Sequence, residues 1–336
     1  MDSLTHIALG ACMGEAFAGK TVGRKAMLWG ILAQSIPDID FIAAFWMKTT
    51  DNLLAHRGFT HSLLFGGIIA FILTFFAEKW HRPHNISFKK WIAFFGSVIF
   101  VHLFLDAFNN YGVGWFEPFS HYRISFNSIY VADPFFSIWS AIAIIALLIL
   151  KRKDSRRKFW WRFGLGMSFL YLSYCVINKL KIDHDVQQIF AKQNIPHSRY
   201  FTTPTPLQNW LWYVVAGDDK GYYVGFRSVF DRKKEIQFEF FPRNDSLIQY
   251  VKSIDDLNKL IRFSQQFYTA DKYSDTVVFN DLRFGQVIGW DSPREKFAFH
   301  YYLQYPDGNA LVVQRGRFAK WNWRVVNSLL KRIKGN

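Results

Sequence analysis

Residues 62–77 read SLLFGGIIAFILTFFA, sixteen residues without a charged side chain. Two more such runs follow, WIAFFGSVIFVHLFL at 91–105, where His102 is the one ionisable residue, and PFFSIWSAIAIIALLIL at 134–150. Each run is slightly shorter than the ~20 residues that cross a bilayer as a helix, and each gains length where its polar ends reach the interface. The three runs therefore predict membrane-spanning helices rather than the core of a soluble helical protein.

Three further apolar runs, at 4–19, 26–47 and 159–177, occupy most of the remaining amino-terminal half. In the first of them Gly10 and Gly14 have the GxxxG spacing that lets two helices approach closely. Together the runs predict a mainly α-helical, polytopic membrane domain of about five to six helices over residues 1–180.

The composition agrees with a membrane protein and excludes several other classes. The 336 residues are 50% hydrophobic and 19% aromatic, with a net charge of +15. Such a chain is too apolar to be disordered, and its two cysteines exclude a disulfide scaffold and a cysteine-only zinc site. Because no nucleic-acid-binding motif accompanies the positive charge, we do not expect a nucleic-acid partner.

The basic residues predict an orientation for the helices. Thirteen of the 18 Lys and Arg residues in 1–180 lie on three alternate loops, at 20–25, 79–90 and 151–158. The positive-inside rule makes these loops cytoplasmic. The loops 48–60 and 109–133, and everything after residue 180, are then expected on the opposite side of the membrane.

Histidine and aspartate residues collect at the helix ends that are predicted to face away from the cytoplasm. They are Asp2, His6, Asp38, Asp40, His56, His61, His102, Asp106 and Asp133. Asp154, His81 and His84 are the exceptions, and both of these histidines fall in a loop that is expected to be solvated. Ionisable groups at membrane depth are costly, so the collected set indicates a functional site.

The spacing within this set suits a metal ion. His102 and Asp106 are four residues apart, so both project from one face of a helix, where they can share an ion. Asp38 and Asp40 follow Pro37, and a bend there can turn both carboxylates inward. Imidazoles mixed with carboxylates, without a thiolate, favour Zn²⁺, with Mn²⁺ and Fe as alternatives.

For single residues of the set, a purely structural role is an alternative to metal binding. Asp133 precedes Pro134, and an Asp followed by Pro is the usual form of a helix start, with the Asp as N-cap. His102 and Asp106 can also be a simple hydrogen-bonded pair.

Three motifs resemble a known family. They are PDID at 37–40, HRGFTHS at 56–62 and HLFLD at 102–106, and they appear in the order found in the LexA-binding, inner-membrane-associated metal-dependent hydrolases. His6 resembles the amino-terminal histidine of that family. The resemblance covers residues 1–180, and it implies a multi-pass hydrolase of the bacterial inner membrane. With the charge pattern, it places the site and the carboxy-terminal domain on the periplasmic side.

The order of these residues is more distantly similar to the zinc-dependent phospholipase C and P1-type nuclease families. Those are helical enzymes that bind zinc through His and Asp residues and cleave phosphodiesters. Their processed amino-terminal Trp is replaced here by Met1-Asp2, and beyond Asp106 only Asp133 offers a match to their later ligands. One or two metal ions are therefore expected rather than three.

These observations predict a metal-dependent hydrolase that acts on a phosphoester at the membrane surface, for which a phospholipid is one candidate. The metal ligands are then His6, Asp38, Asp40, His61, His102, Asp106 and Asp133. Arg57 and Arg123 can hold a phosphate, and His56 is either a ligand or a general acid. The alternative is a non-enzymatic membrane regulator or scaffold with a structural metal site.

The carboxy-terminal half has evenly spread charges and a pattern of short strands. We predict a linker over 181–206 and a smaller extramembrane domain over 207–336, mainly β or α+β, with one helix at 253–264. The predicted strands are 211–215, 222–229, 235–241, 276–279, 296–304 and 310–313. No set of residues in this half has the spacing of a metal site or a catalytic triad.

Overall fold

A computed structural model describes residues 1–82, 86–249, 251, 253–304 and 321–336. These residues form two compact units, one of residues 1–45 with 55–176 and one of residues 46–54 with 177–336. The division near residue 177 lies close to the predicted boundary at 180, whereas the assignment of 46–54 to the second unit was not predicted.

The first unit is built from helices that the apolar runs predicted. The helices of the amino-terminal half are α1 (Ser3–Val22), α2 (Arg24–Ser35), a 3₁₀ helix Pro37–Phe45, α3 (Thr49–Ala55), a 3₁₀ turn Phe59–His61, α4 (Leu63–Trp80), α5 (Phe88–Asp106), α6 (Pro134–Ile149) and α7 (Arg157–Gln193). Side chains cap several amino-terminal ends: Ser62 Oγ accepts a hydrogen bond from Phe65 N at 3.1 Å, and Asp2 accepts one from Thr5 N at 3.0 Å.

Fewer helices qualify as membrane spans than the sequence predicted. Among the described residues, two helices, α4 and α5, are long and apolar enough to cross a membrane. The pair formed by α2 and the 3₁₀ helix Pro37–Phe45 makes a third if it is one span bent by 56°. The prediction of five to six spans is therefore not supported, because α6 is short at 16 residues and α1 carries His6, Glu15 and Lys20.

The GxxxG prediction for the first helix is confirmed by its packing against α2. A Cβ atom on Gly10 would lie 2.4 Å from the carbonyl oxygen of Gly30, and one on Gly14 would lie 2.0 Å from that of Ala26. No side chain fits at such distances, so the two backbones touch. This contact holds His6 of α1 beside the carboxy-terminal end of α2.

Helices α4 and α5 pack through one face and leave another exposed. Ala70 and Ala77 of α4 lie in a cluster with Trp91 and Phe95 of α5. Outward-facing apolar side chains such as Phe71, which is 58% exposed, are typical of a surface in contact with lipid.

His81 corrects one expectation from the sequence. It is buried at the end of α4, where Trp29 Nε1 donates a hydrogen bond to its Nε2 at 2.8 Å and its ring stacks on Trp91. His84 lies outside the described residues. A loop histidine was expected to be solvated, but the aromatic side chains of α2 and α5 reach this one.

The second unit contains two antiparallel sheets, as an α+β or mainly β domain requires. The first sheet has the order β1 (Arg199–Pro204), β2 (Leu211–Gly217), β3 (Gly221–Ser228) and β4 (Glu239–Pro242). The second has the order β5 (Tyr268–Tyr273), β6 (Thr276–Gln286) and β7 (Phe297–Tyr302). The unit also contains α8 (Ile254–Phe263), α9 (Trp323–Ile333) and a 3₁₀ helix, Asp245–Leu247.

The predicted linker over 181–206 belongs to this fold instead. Helix α7 continues to Gln193, and its buried residues Ile182, Val186 and Phe190 pack with Trp212 of β2. Residues 199–204 pair with β2 as strand β1. The stretch 181–193 is rich in polar residues, so the apolar residues that recur in it at helical spacing were not recognised as a buried helix face. Strand β5 was also missed, and the strand predicted at 310–313 lies outside the described residues.

Candidate metal centre

Four side chains from three segments of the first unit converge on one point. Asp38 comes from the 3₁₀ helix after α2, His61 from the turn before α4, and His102 and Asp106 from the last turns of α5. Each residue offers one ligand atom, and the four atoms all lie within 4.8 Å of one another. We call these four residues the His/Asp cluster.

The ligand atoms of the cluster are close and almost fully enclosed. His61 Nε2 lies 3.2 Å from His102 Nε2, 3.5 Å from Asp38 Oδ1 and 3.4 Å from Asp106 Oδ2. His102 Nε2 lies 3.6 Å from Asp38 Oδ1 and 3.8 Å from Asp106 Oδ2. The side chains of His61, His102 and Asp106 are fully buried, and that of Asp38 is 16% exposed. Solvent therefore reaches the cluster at Asp38.

The hydrogen bonds behind the two imidazoles indicate which nitrogen faces the centre as an acceptor. His102 Nδ1 lies 2.6 Å from the carbonyl oxygen of Gln34, which only accepts, so Nδ1 carries the proton and Nε2 keeps its lone pair. His61 Nδ1 lies 3.1 Å from Thr60 Oγ1 and 3.5 Å from Asp40 Oδ2. Burial also lowers the pKa of His61 well below its usual range, so this ring is neutral at pH 7.

Two imidazole lone pairs and two carboxylate oxygens thus face a common point. Acceptors that face acceptors repel one another unless a cation or a shared proton lies between them. Arg57 Nε lies 3.0 Å from Asp106 Oδ2, and a divalent ion at the common point would satisfy all four acceptors at once. The donor set therefore fits a metal ion on its own chemistry.

Asp40, predicted as a ligand, lies behind His61 rather than inside the cluster. Its Oδ2 accepts a hydrogen bond from the backbone N of Arg57 at 2.7 Å, and its Oδ1 lies 3.2 Å from His56 Nδ1. A carboxylate on the far nitrogen of a ligating histidine fixes the ring and raises its basicity. Asp40 is placed to orient His61 and to connect it with His56.

His6, another predicted ligand, lies against the cluster on a different side of Asp106. Its Nε2 is 3.1 Å from Asp106 Oδ1, and its ring stacks on His102 with centroids 3.8 Å apart. Its Nδ1 lies 3.0 Å from Gln34 Oε1. The amino group of Met1 also contacts Asp106 Oδ1. Asp106 therefore presents one oxygen to the cluster and the other to His6.

Gln34 is a site residue that the sequence analysis missed. Its backbone carbonyl orients His102, its side-chain oxygen orients His6, and its Nε2 donates to the carbonyl of Val98 at 3.0 Å. Gln34 is fully buried. The sequence offered one indication of this role, because Gln34 is a polar amide residue inside the apolar run 26–47.

Arg57 is engaged by the protein itself. Its Nε lies 3.0 Å from Asp106 Oδ2, its Nη1 donates to Asn109 Oδ1 at 2.7 Å, and its Nη2 donates to the carbonyl of Met1 at 3.0 Å. The residue is 3% exposed and has a positive φ of 56°. In this arrangement the guanidinium positions Asp106, and a phosphate would have to compete with three protein groups for it.

The two other predicted catalytic residues have different environments. Arg123 is buried, and its Nη2 donates to the carbonyl of His56 at 2.9 Å. His56 has a side chain that is 37% exposed and hydrogen bonded to Asp40. His56 is thus a solvent-accessible imidazole connected through Asp40 to His61.

Asp133, the last predicted ligand, lies outside the cluster. Its Oδ1 accepts a hydrogen bond from the backbone N of Phe135 at 2.9 Å, and its Oδ2 accepts one from Tyr171 Oη at 3.0 Å. Burial raises the pKa of Asp133 to about 6. The structure gives this residue the N-cap role on α6 that the sequence also allowed.

The cluster and the motifs that carry it lie within the part of the chain that matches a known family. The model of the YdjM inner membrane protein family matches residues 1–182. The chain belongs to this family. In this chain the motifs PDID, HRGFTHS and HLFLD contain all four residues of the cluster.

Two relatives extend this comparison. The inner membrane protein YbcI of Escherichia coli (strain K12) is 29% identical over 143 residues, which cover 42% of this chain and 75% of YbcI. YfhP of Bacillus subtilis (strain 168) is 26% identical over 328 residues, which cover 91% of this chain and 86% of YfhP. No solved structure matches. The family names support an inner-membrane location, and the match to YfhP extends over both units.

Proposed function

We propose that this protein is a membrane-embedded metal-dependent hydrolase whose ion is held by Asp38, His61, His102 and Asp106. The observation that supports it most strongly is the convergence of four acceptor atoms within 4.8 Å, three of them on buried residues. Zinc is the ion that the mixed imidazole and carboxylate set favours, with manganese and iron as alternatives. His6 and the second oxygen of Asp106 offer two further ligand atoms if a second ion binds.

The proposed substrate is a phosphoester at the membrane surface. When bound, such an ion lowers the pKa of a coordinated water toward about 7, so hydroxide is available at neutral pH. The cluster lies at the start of α4 and the end of α5, the two candidate spans. An ester bond attacked there belongs to a molecule at the edge of the bilayer, and phospholipids are the abundant phosphoesters at that position.

The residues around the cluster have distinct proposed roles. Arg57 holds Asp106 by its guanidinium, Asp40 orients His61, and Gln34 orients His102. His56 is accessible, so it can transfer a proton to a leaving group, and Asp40 holds its Nδ1. Such a general acid contributes about 10²–10⁴-fold to the rate.

We also propose that the cluster and the second unit face the periplasm. This orientation follows from the 13 basic residues on the three alternate loops of the first half. A membrane-impermeant thiol reagent applied to intact cells should label a cysteine introduced at exposed Gln188 and leave one at Asp154 unlabelled. The reverse pattern would refute the orientation.

The non-enzymatic alternative has one observation in its favour. Four protein ligands with three of them fully buried make a closed set, and closed four-ligand sites are typical of structural zinc. In that case the protein is a membrane regulator or scaffold. The exposed edge of Asp38 favours the catalytic reading, because a substrate needs access to the ion.

Metal content and hydrolysis, measured together, separate the two functions. Protein purified in detergent is assayed for bound Zn, Mn and Fe, then tested on nitrophenyl phosphodiesters, phosphomonoesters and phospholipid. We expect bound metal and hydrolysis in the wild type. In His56→Ala we expect full metal with a rate lower by about 10²–10⁴-fold, and a smaller loss for substrates with good leaving groups.

The matched control is His184→Ala, which removes an exposed histidine from the second unit. It should change neither the metal content nor the rate of hydrolysis. Metal-loaded wild type that hydrolyses none of these esters would refute the phosphoesterase proposal and support the scaffold. Loss of metal in His56→Ala would instead make His56 a ligand.

A further inference from the structure

The segment that connects α5 to α6 carries a turn whose aromatic side chains point outward. Within it Phe116, Phe119 and Tyr122 are 49%, 84% and 70% exposed. The backbone N atoms of Phe119 and Ser120 both donate to the carbonyl of Phe116, at 2.9 and 3.0 Å, which closes the turn. We call residues 116–122 the aromatic turn. Three large exposed aromatic residues within seven positions form a patch that water solvates poorly.

Two hydrogen bonds of Trp115, the residue before this turn, attach it to the two candidate spans. Leu63 N, at the first residue of α4, donates to the carbonyl of Trp115 at 3.0 Å. Trp115 Nε1 donates to the carbonyl of Leu103, in the last turn of α5, at 3.1 Å. The turn is therefore held at the ends of α4 and α5 rather than extended away from them.

The lengths of these helices give the depth of the turn in a bilayer. With 18 and 19 residues, α4 and α5 are about 27–29 Å long, close to the ~30 Å thickness of the hydrocarbon core. Leu63 and Leu103 then lie at the boundary between hydrocarbon and headgroups. Side chains of the turn that follows Trp115 then meet the interface, where Tyr is enriched and Phe buries at the boundary between headgroups and acyl chains.

The same segment is bonded to the residues beside the His/Asp cluster. Before the turn, Gly114 N donates to the carbonyl of Arg57 at 2.9 Å. After it, Arg123 Nη2 donates to the carbonyl of His56 at 2.9 Å. Val113 and Ile124, the next residues outside these two, form an antiparallel bridge that closes the segment. The depth of the aromatic turn in the bilayer thus determines the depth of His56 and Arg57, which lie beside the cluster.

We propose that the aromatic turn inserts into the lipid interface next to the cluster and presents the cluster to the phosphate groups of phospholipids in that leaflet. The insertion stands on its own, whereas the presentation of phospholipid phosphate rests on the proposed function. Phe119, the most exposed of the three, is the main anchor. Charged and titratable groups at the turn are Glu117 and His121, whose Oε1 and Nδ1 lie 2.8 Å apart, and Arg123 directly after it.

The insertion is tested by fluorescence quenching in phosphatidylcholine vesicles. Cysteine replaces Phe119 in a Cys12→Ala/Cys175→Ala background, both native cysteines being buried, and is labelled with a small fluorophore. The matched control is Phe230→Cys, a 52% exposed phenylalanine of the second unit. We expect brominated acyl chains to quench the label at 119 more than at 230, and aqueous iodide to do the reverse. Equal quenching at both positions, by either agent, would overturn the insertion.

The link to substrate is tested with Phe119→Ser and the control Phe230→Ser. Phe119→Ser should raise KM for phospholipid in vesicles by about tenfold, the loss expected for one phenyl ring removed from an apolar environment. Hydrolysis of a soluble nitrophenyl phosphodiester should not change. An equal effect on both substrates would overturn the link. If wild type hydrolyses neither, the proposed function fails while the quenching result still decides the insertion.

Discussion

Buried charged groups of the first unit include the Glu15–Arg157 pair and the His/Asp cluster, and these two differ in how donors and acceptors are matched. At one place Arg157 Nε and Nη2 donate to the two oxygens of Glu15, each at 2.7 Å. Its Nη1 donates to the carbonyls of Leu147 and Leu150 at 2.6 and 2.9 Å. At the other place, the His/Asp cluster, two lone-pair nitrogens and two carboxylates face one another. His6 and Glu15 lie nine residues apart on α1, about 13 Å along its axis.

The comparison teaches that burial of charge does not by itself make a site. The Glu15–Arg157 pair is neutral, bidentate and supplied with further acceptors, so it needs no ligand to be stable. In the cluster, Arg57 and the amino group of Met1 offset the charge of Asp106. The two imidazole nitrogens and Asp38 still face one another, and a cation removes that excess of acceptors. Matching donors to acceptors therefore separates a structural ion pair from a candidate metal centre.

The largest expected effect is loss of metal from the cluster. In a His102→Ala/Asp106→Ala variant two of the four ligands are absent, so bound metal should fall to background by elemental analysis. The matched control is Glu15→Leu/Arg157→Met, which replaces the other buried charges with apolar side chains and should keep its metal. Comparable metal loss in the control would mean that the assay reports damage to the helical unit rather than to a site.

The next effect concerns stability at the ion pair. Arg157→Met alone leaves Glu15 charged and buried, and removing one partner of such a pair costs about 3–5 kcal/mol. Glu15→Leu/Arg157→Met should recover most of that loss, since apolar replacement of a whole pair is often neutral. Unfolding of the purified variants in detergent, analysed as a double-mutant cycle, measures the coupling. Additive losses in the two single variants would show that the residues do not depend on each other.

Much of the cluster was predictable because its residues lie in short local motifs. HLFLD places His102 and Asp106 on one helix face by spacing alone, and HRGFTHS places His61 at the start of the next helix. What the sequence could not show is which of several adjacent polar residues points inward. Asp38 and Asp40 are two residues apart, and the 3₁₀ helix places Asp38 in the His/Asp cluster and Asp40 behind His61.

Long-range contacts account for the other differences. Arg157 was counted among the basic residues of a cytoplasmic loop, but its partner Glu15 lies 142 residues earlier in the chain. Gln34 and Arg57 likewise act through residues distant in sequence. The predicted count of five to six spans is not supported, because an uncharged run gives no information about where a helix bends or ends, as at Pro37.

A smaller effect distinguishes Asp40 from Asp38. Asp40→Asn keeps a polar group of the same size behind His61 but removes the charge, and such changes next to a ligand lower metal affinity by about 10–100-fold. Asp38→Asn removes a ligand and should weaken binding more. Competition with a chromophoric chelator measures both affinities. An Asp40→Asn loss as large as that of Asp38→Asn would make Asp40 a direct ligand.

The smallest effect is expected at Asp133, which lies outside the His/Asp cluster and is hydrogen bonded to Tyr171 and the start of α6. Loss of an N-cap side chain in Asp133→Ala should cost ~1 kcal/mol, whereas Asp133→Asn keeps the cap and should leave the metal content unchanged.

Burial raises the pKa of Asp133 to about 6 from the usual 3.8, so folding favours the protonated carboxyl. This stabilisation is present below about pH 4 and is lost as the pH rises through about 6. Wild type should therefore lose stability relative to Asp133→Asn between pH 4.5 and about pH 7, as measured by thermal unfolding in detergent. A loss of metal in Asp133→Asn would instead return Asp133 to the set of ligands.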